Sequence, residues 1–341
     1  MIKFLKIQML FLLVISFSCT QKGGDFQVGI LISSTALNRW ETEAIFMKEK
    51  FEAEGGNVTI KSAENDENLQ IAQALEMINS GANVLVINAV NGITAASIVR
   101  AAHDKGVKVI AYDRIIKNCD LDYFITFDGE KVGELIASYA LKVKPSGNYV
   151  LMNGDKSDDN AIMFYNGTMK ILQPQIDAKR INIVFSTFVE GYDKVNSAFY
   201  TDKVLEFANT RIDAILAPYD GLTDGIFSVL KKRGLIDSVA TTGQDAEIGA
   251  CQRIMNNQQL MTVYKPGKNM ADRCAEMVLQ IIRKEFIKDL KSVNNGRFDI
   301  PSLVLEPIAV DKENLAGTVV ADGMYTMENI MSFDQNSILP N

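Results

Sequence analysis

From position 26 onward the chain gathers its apolar residues into short runs separated by longer stretches of helical spacing. Runs at 27–32, 58–62, 84–88 and 107–112 predict buried strands, and the segments 39–54, 68–80 and 92–105 between them predict helices. Gly55 with Gly56, Gly81 and Gly106 each stand just after a helical segment, where a left-handed residue ends a helix. A short strand is predicted over 122–127. After the turn at Pro145, Ser146 and Gly147 the pattern restarts, with strands at 148–153, 181–186, 214–217, 239–242 and 260–263. Helices are expected between them over 159–172, 194–208, 222–233 and 246–256. A helix over 270–285 and strand-like runs at 302–310 and 317–320 are left over. Such alternation predicts an α/β fold: two sets of about five strand–helix units, each building a parallel sheet flanked by helices.

The 341 residues suit two domains of ordinary size. A net charge of -7 argues against a nucleic-acid surface. The first residues read differently from the rest. Lys3 and Lys6 precede an apolar run at 9–17, which leads to Ser18 and Cys19. This is similar to a bacterial lipoprotein signal, with 1–18 as signal peptide, Cys19 acylated and 19–25 as tether. Ser16 stands where that pattern prefers Leu, and an ordinary secretory signal is the alternative. Either way the protein is expected to be exported. Cys119, Cys251 and Cys274 match no metal-site spacing and are expected to be structural thiols, with one disulfide as the minor alternative.

Enzyme motifs are mostly missing. No glycine-rich phosphate loop follows a strand and no nucleophile elbow occurs. His103 is the single histidine, expected to be an exposed helix residue, which removes histidine triads and multi-histidine metal sites. Asp158 and Asp159 could serve as a carboxylate pair, although adjacent acids opening a helix also act as caps.

The run at 107–112 ends abruptly in Asp113 and Arg114. Ligands of open α/β sheets bind beyond the carboxyl ends of strands. A carboxylate beside a forked guanidinium can grip neighbouring hydroxyls of a polyol, and a structural ion pair would use the same two residues. Other strand ends carry similar residues: Asn38, Arg39 and Trp40, then Asp158 to Asn160, Phe188 to Tyr192, Tyr219 with Asp220, Gln244 with Asp245, and Lys265. Singly, Trp40 could be core, Asp245 a helix cap and Lys265 a solvated charge. Together, acceptors, donors and rings in one cleft suit a neutral sugar.

At these residues the chain resembles the periplasmic sugar-binding proteins of ABC transporters, type I fold, and among them the D-xylose-binding members most. The resemblance runs from about 28 to 323 and is carried by N-R-W at 38–40, A-Y-D-R at 111–114 and F-D-G-E-K-V-G-E-L at 127–135. D-D-N-A at 158–161, G-Q-D-A at 243–246 and T-V-Y-K-P at 262–266 complete it. It implies two Rossmann-like lobes joined by three hinge crossovers, near 128–130, 263–266 and 306–311. The N-terminal lobe would be 26–128 plus about 264–306, and the C-terminal lobe 129–263 plus about 307–336. Ligand contacts are implied for Arg39, Asp113, Arg114, Asn160, Asp245 and Lys265, with an aromatic contact from Phe188 or Tyr192 and with Trp40 beside them.

Two positions depart from the xylose pattern. Tyr219 stands where that pattern has Asn, and its aromatic contact is Trp, whereas Trp40 is the only tryptophan here. These changes leave D-xylose, another pentose or a hexose open. The implied protein is a monomeric receptor for a monosaccharide, D-xylose first, that closes on the sugar and presents it to a permease. It would catalyse nothing, need no cofactor, and sit in the periplasm or at the cell surface, anchored to a bacterial membrane through Cys19. A sensor of the same fold signalling to a membrane histidine kinase is the alternative partner. A glycosidase built on Asp158 or Asp159 is the alternative chemistry.

Overall fold

The structure is a computed structural model that describes residues 26–35 and 38–332. The expected signal peptide, Cys19 and the tether lie outside the described residues. The first series is β1 (Phe26–Ile32), α1 (Asn38–Ala53), β2 (Gly56–Ser62), α2 (Glu67–Asn79), β3 (Val84–Ile87), α3 (Ala96–His103), β4 (Lys108–Tyr112) and β5 (Tyr123–Phe127). The second begins with α4 (Gly129–Val143), β6 (Gly147–Asn153), α5 (Asp159–Asp177), β7 (Ile181–Phe188) and α6 (Lys194–Phe207). It continues through β8 (Ala214–Leu216), α7 (Asp220–Arg233), β9 (Ala240–Gln244), α8 (Ile248–Met255) and β10 (Met261–Tyr264). Last come α9 (Gly267–Arg283), β11 (Lys291–Asn294), β12 (Asp299–Leu305), β13 (Ile308–Val310) and α10 (Met327–Ser332).

Two sheets result, ordered β11-β12-β5-β4-β3-β1-β2 and β13-β10-β9-β8-β6-β7. Every pairing is parallel except β11 with β12 and β10 with β13. The chain passes from the first sheet to the second after β5, returns after β10, and crosses again between β12 and β13. Both sheets are covered by helices, so β3 is buried along its whole length and reads as uninterrupted apolar sequence. This is the two-lobed α/β architecture expected.

Local chemistry explains the element ends. Asp66 caps α2 by accepting from the amides of Asn68 and Leu69 at 2.8 and 3.1 Å, and Asp128 caps α4 through the amide of Lys131 at 3.0 Å. Gly55, Gly81 and Gly106 adopt positive φ as expected. Helices α4 and α5 approach backbone to backbone: a methyl group on Gly133 would collide with the Phe164 carbonyl, and one on Gly167 with that of Glu130.

Several expectations are corrected. Helix α4 fills the segment after β5 that the sequence reading passed over. The run 302–310 divides between two strands in different sheets, and β11 and α10 were not foreseen. Residues 317–320 form no strand. They belong to a π-helical turn, Ala316–Val320, that buries Val319 against Leu315 and Ile330. His103 is no free surface residue, since its Nε2 lies 2.8 Å from Asp122 Oδ2. Cys119, Cys251 and Cys274 are all free and buried, so none pairs.

Candidate ligand site between the two sheets

The first turn of α1 places Arg39 and Trp40 beyond the carboxyl edge of the first sheet. Arg39 Nε bonds Glu43 Oε1, one turn on, at 2.6 Å. Its two terminal nitrogens stand 3.7 Å from Asp113 Oδ1 and 3.8 Å from Asp245 Oδ1. Asp113 follows β4 of the first sheet and Asp245 follows β9 of the second. One guanidinium therefore meets acids from both halves. Burial disfavours its charge, but the carboxylates of Glu43, Asp113 and Asp245 outweigh that and hold its pKa above the ordinary value.

Glu43 is buried and also accepts from the Tyr112 hydroxyl at 2.6 Å. Trp40 packs edge-on against Tyr112, ring centroids 6.3 Å apart, and carries the Arg39 guanidinium over its face at 4.5 Å. It is thus a core residue and a support for the site at once. Asp113 and Asp245 share a backbone habit, with φ of 64° and 87°. Their amides donate to the carbonyls of Ile125 and Val263, each at 2.8 Å. Aspartate tolerates this left-handed turn through its short polar side chain.

The distances from Arg39 to Asp113 and Asp245 make ion pairs, not hydrogen bonds. One terminal nitrogen of Arg39, Asp245 Oδ1 and Gln244 Oε1 are all buried without a hydrogen bond. Lys265 lies 3.3 Å from Asp245 Oδ1, with its ammonium 5.9 Å from the Phe164 ring centroid. Asp113, Thr126, Asn160, Phe164 and Lys265 line one cavity at this junction, drawn from both sheets. Buried donors and acceptors that face one another yet stand too far apart to bond suit a ligand rich in hydroxyls.

Beside this cavity, Arg114 Nη1 donates to the Ala89 carbonyl at 3.4 Å, and its charge reaches Asp158 and Tyr192. Asp158 caps α5 through the Asn160 amide at 2.9 Å and accepts from the Tyr192 hydroxyl at 2.9 Å. Burial lifts its pKa above the usual carboxylate range. Tyr192 meets Tyr219 edge-on at 5.7 Å, whereas Phe188 packs on Tyr165 at 5.6 Å. Of the two aromatic candidates, Tyr192 is the one joined to the charged group. Asp159 pairs with Lys117 at 2.7 Å, so both acids of the suspected carboxylate pair have structural partners.

The sequence reading did not single out Glu43, Lys117 or Glu247. Only Glu43 carried a local signal, its four-residue spacing from Arg39 on one helix face. Among the described residues no cluster of three or more His, Cys, Asp or Glu could hold a metal. No described helix is long and apolar enough to cross a membrane.

The D-xylose-binding periplasmic protein of Haemophilus influenzae is 39% identical over 314 residues, 92% of this chain and 95% of that protein. That of Escherichia coli is 38% identical over 301 residues, 88% of this chain and 91% of that protein. An ABC transporter solute-binding protein from Clostridium phytofermentans, solved with bound β-D-glucose, superposes with a TM-score of 0.79. It is 27% identical, and the match covers 89% of this chain and 99% of that one. The periplasmic binding protein domain is matched over residues 28–286. With its two helix-covered parallel sheets and three crossings, the chain belongs to the periplasmic binding protein family.

Proposed function

We propose that this protein is a receptor for a monosaccharide, D-xylose first, which enters between the two halves and stabilises their closed arrangement. The observation that carries the reading is Arg39 held between Asp113 and Asp245, acids from opposite sheets. A ligand that satisfies all three groups favours the arrangement in which they face one another, and closure needs no other source of energy. Asp113 and Asp245 accept from sugar hydroxyls, while Arg39, Arg114, Lys265 and the Asn160 amide donate. Tyr192 and Tyr219 supply ring contacts, and no reaction is catalysed. The closed form is presented to an ABC transporter permease. The two lobes are 26–128 with about 264–306, and 129–263 with about 307–336, acting as one monomer.

Calorimetric titration with xylose, arabinose, ribose, glucose and galactose tests the reading. A saturable response to one of them that is weakened roughly ten- to hundredfold in Asp113→Asn supports it, and silence toward all five overturns it. We also infer that 1–18 is a lipoprotein signal and that Cys19 anchors the exported protein to a membrane. The support is the basic start, the apolar run and the small residue before Cys19. Mass spectrometry of the N-terminal peptide should show acylated Cys19, and Cys19→Ser should release the protein into the soluble fraction.

A further inference from the structure

Arg39 stops short of the two acids it faces. Its terminal nitrogens stand 3.7 Å from Asp113 Oδ1 and 3.8 Å from Asp245 Oδ1, beyond hydrogen-bond range, and one of them is buried with no partner. An arginine side chain has the rotamer freedom to close such gaps. Glu43 accounts for the restraint. Its Oε1 accepts from Arg39 Nε at 2.6 Å, and its Oε2 accepts from the Tyr112 hydroxyl at 2.6 Å. Tyr112 is buried and fixed in turn by the edge-on contact with Trp40.

Behind the carboxylate lies the crossing from β10 back to the first sheet. A methyl group on Gly267, the first residue of α9, would collide with Glu43 Oε1. Gly267 has no positive φ that would call for glycine, and alanine is the better helix former, so the glycine is there to make room for the carboxylate. The first turn of α9 carries no acid, and Pro266 gives it no side-chain cap. Glu43, reaching over from α1, brings the negative charge that this end of a helix favours. Lys265, two residues before Gly267, belongs to the same crossing and pairs with Asp245.

Resting on the receptor reading above, we propose that Glu43 is a positioning residue that holds Arg39 back from Asp113 and Asp245. The donors of one and the acceptors of the others are thereby left for the ligand. Glu43 does not touch the sugar. Without it the guanidinium swings onto the two acids, the three groups satisfy one another, and a sugar has to displace those bonds before it can make its own. Gly267 preserves the space in which Glu43 does this, so one contact sets both the binding group and the start of α9.

The test is calorimetry with the five sugars named above on the full chain and its Glu43→Gln, Glu43→Ala and Gly267→Ala variants, the last two also combined. A thermal melt of each confirms folding, and Glu43→Gln, matched in size, serves should Glu43→Ala fail to fold. Trp40 carries the Arg39 guanidinium at 4.5 Å and reports where that group sits before any sugar is added. Glu43→Gln and Gly267→Ala should each weaken binding by about tenfold and shift the sugar-free emission of Trp40. Because Gly267→Ala acts through the carboxylate, adding it to Glu43→Ala should weaken binding no further. Wild-type affinity in the folded Glu43 variants overturns the proposal. So does weakened binding with wild-type emission in Glu43→Gln, the pattern of a merely structural role. Additive losses in the combined variant overturn the part given to Gly267. A wild type that takes up none of the five sugars overturns the receptor reading, while the emission shift still tests the hold of Glu43 on Arg39.

Discussion

Lys117 reaches from the loop after β4 to Asp159 in the first turn of α5, joining the two halves through a 2.7 Å contact. Both side chains are partly exposed, 32% and 45%, so the pair is worth about 0.2–1 kcal/mol. Because its partners belong to opposite halves, that amount bears on closure and little on the folding of either half. Lys117→Met should weaken sugar binding by up to about fivefold while leaving the melting temperature nearly unchanged. Titrations at low and high salt check it, since screening should erase the difference between variant and wild type.

Asp113 takes up a left-handed backbone conformation, which Asn also tolerates. Asp113→Asn therefore removes the charge facing Arg39 without straining the turn. The loss of an ionised acceptor should cost about 1.5–3 kcal/mol of sugar affinity, roughly ten- to hundredfold. Calorimetry gives the affinity, and circular dichroism should show an unaltered fold. Equal affinity in the variant would take Asp113 out of the site.

Burial raises the carboxyl of Glu247, the residue just before α8, to about 7, aided by the charges of Asp224 and Asp245 and opposed by Tyr219 and Arg253. The folded protein thus holds this proton more tightly than the unfolded chain does, whose carboxyl titrates near 4.5. Stability from this group is greatest below the unfolded value and declines as pH rises through the folded one. Wild type should lose up to about 3 kcal/mol relative to Glu247→Gln between pH 4.5 and pH 8. Denaturant unfolding of both proteins across that range measures the difference directly, and parallel curves would contradict the assignment.

Trp40 is the only tryptophan, 5% exposed, with a guanidinium over its face. A sugar that engages Arg39 redistributes charge next to that ring, so emission should change and saturate at the calorimetric midpoint. Arg39→Lys should abolish the change, because an ammonium cannot reproduce the flat stacked fork. Emission that ignores a sugar detected by calorimetry would separate Trp40 from binding.

The strands were legible because parallel strands covered on both faces leave long apolar runs. The residues that end them, Asp113 and Asp245, stand out as candidates because ligands of such sheets gather at that edge. Helix α4 was harder to see. Glycine weakens a helix interior, yet Gly133 allows the backbone of α5 to come close, a demand set by a distant segment. The run at 317–320 illustrates the opposite error, since four small or apolar residues fit a strand and a buried helical turn equally well. Lys117 and Glu247 acquire meaning only from partners brought near by folding, Asp159 in one case and Tyr219 in the other. No spacing along the chain announces such pairs.

The late return of the chain to the first sheet has a consequence for how the molecule is made. β5, complete by residue 127, finds its outer neighbour only in β12, which ends at residue 305. Until residue 305 has emerged, the first sheet carries an open edge of unpaired amides and carbonyls, the kind of surface that recruits stray strands. Closing it requires ends far apart in the chain to meet, which slows completion and makes the final segment a gatekeeper for the whole. Fragments stopped short of residue 305 should therefore precipitate, while circular permutants that bring β12 next to β5 should fold faster than the natural order.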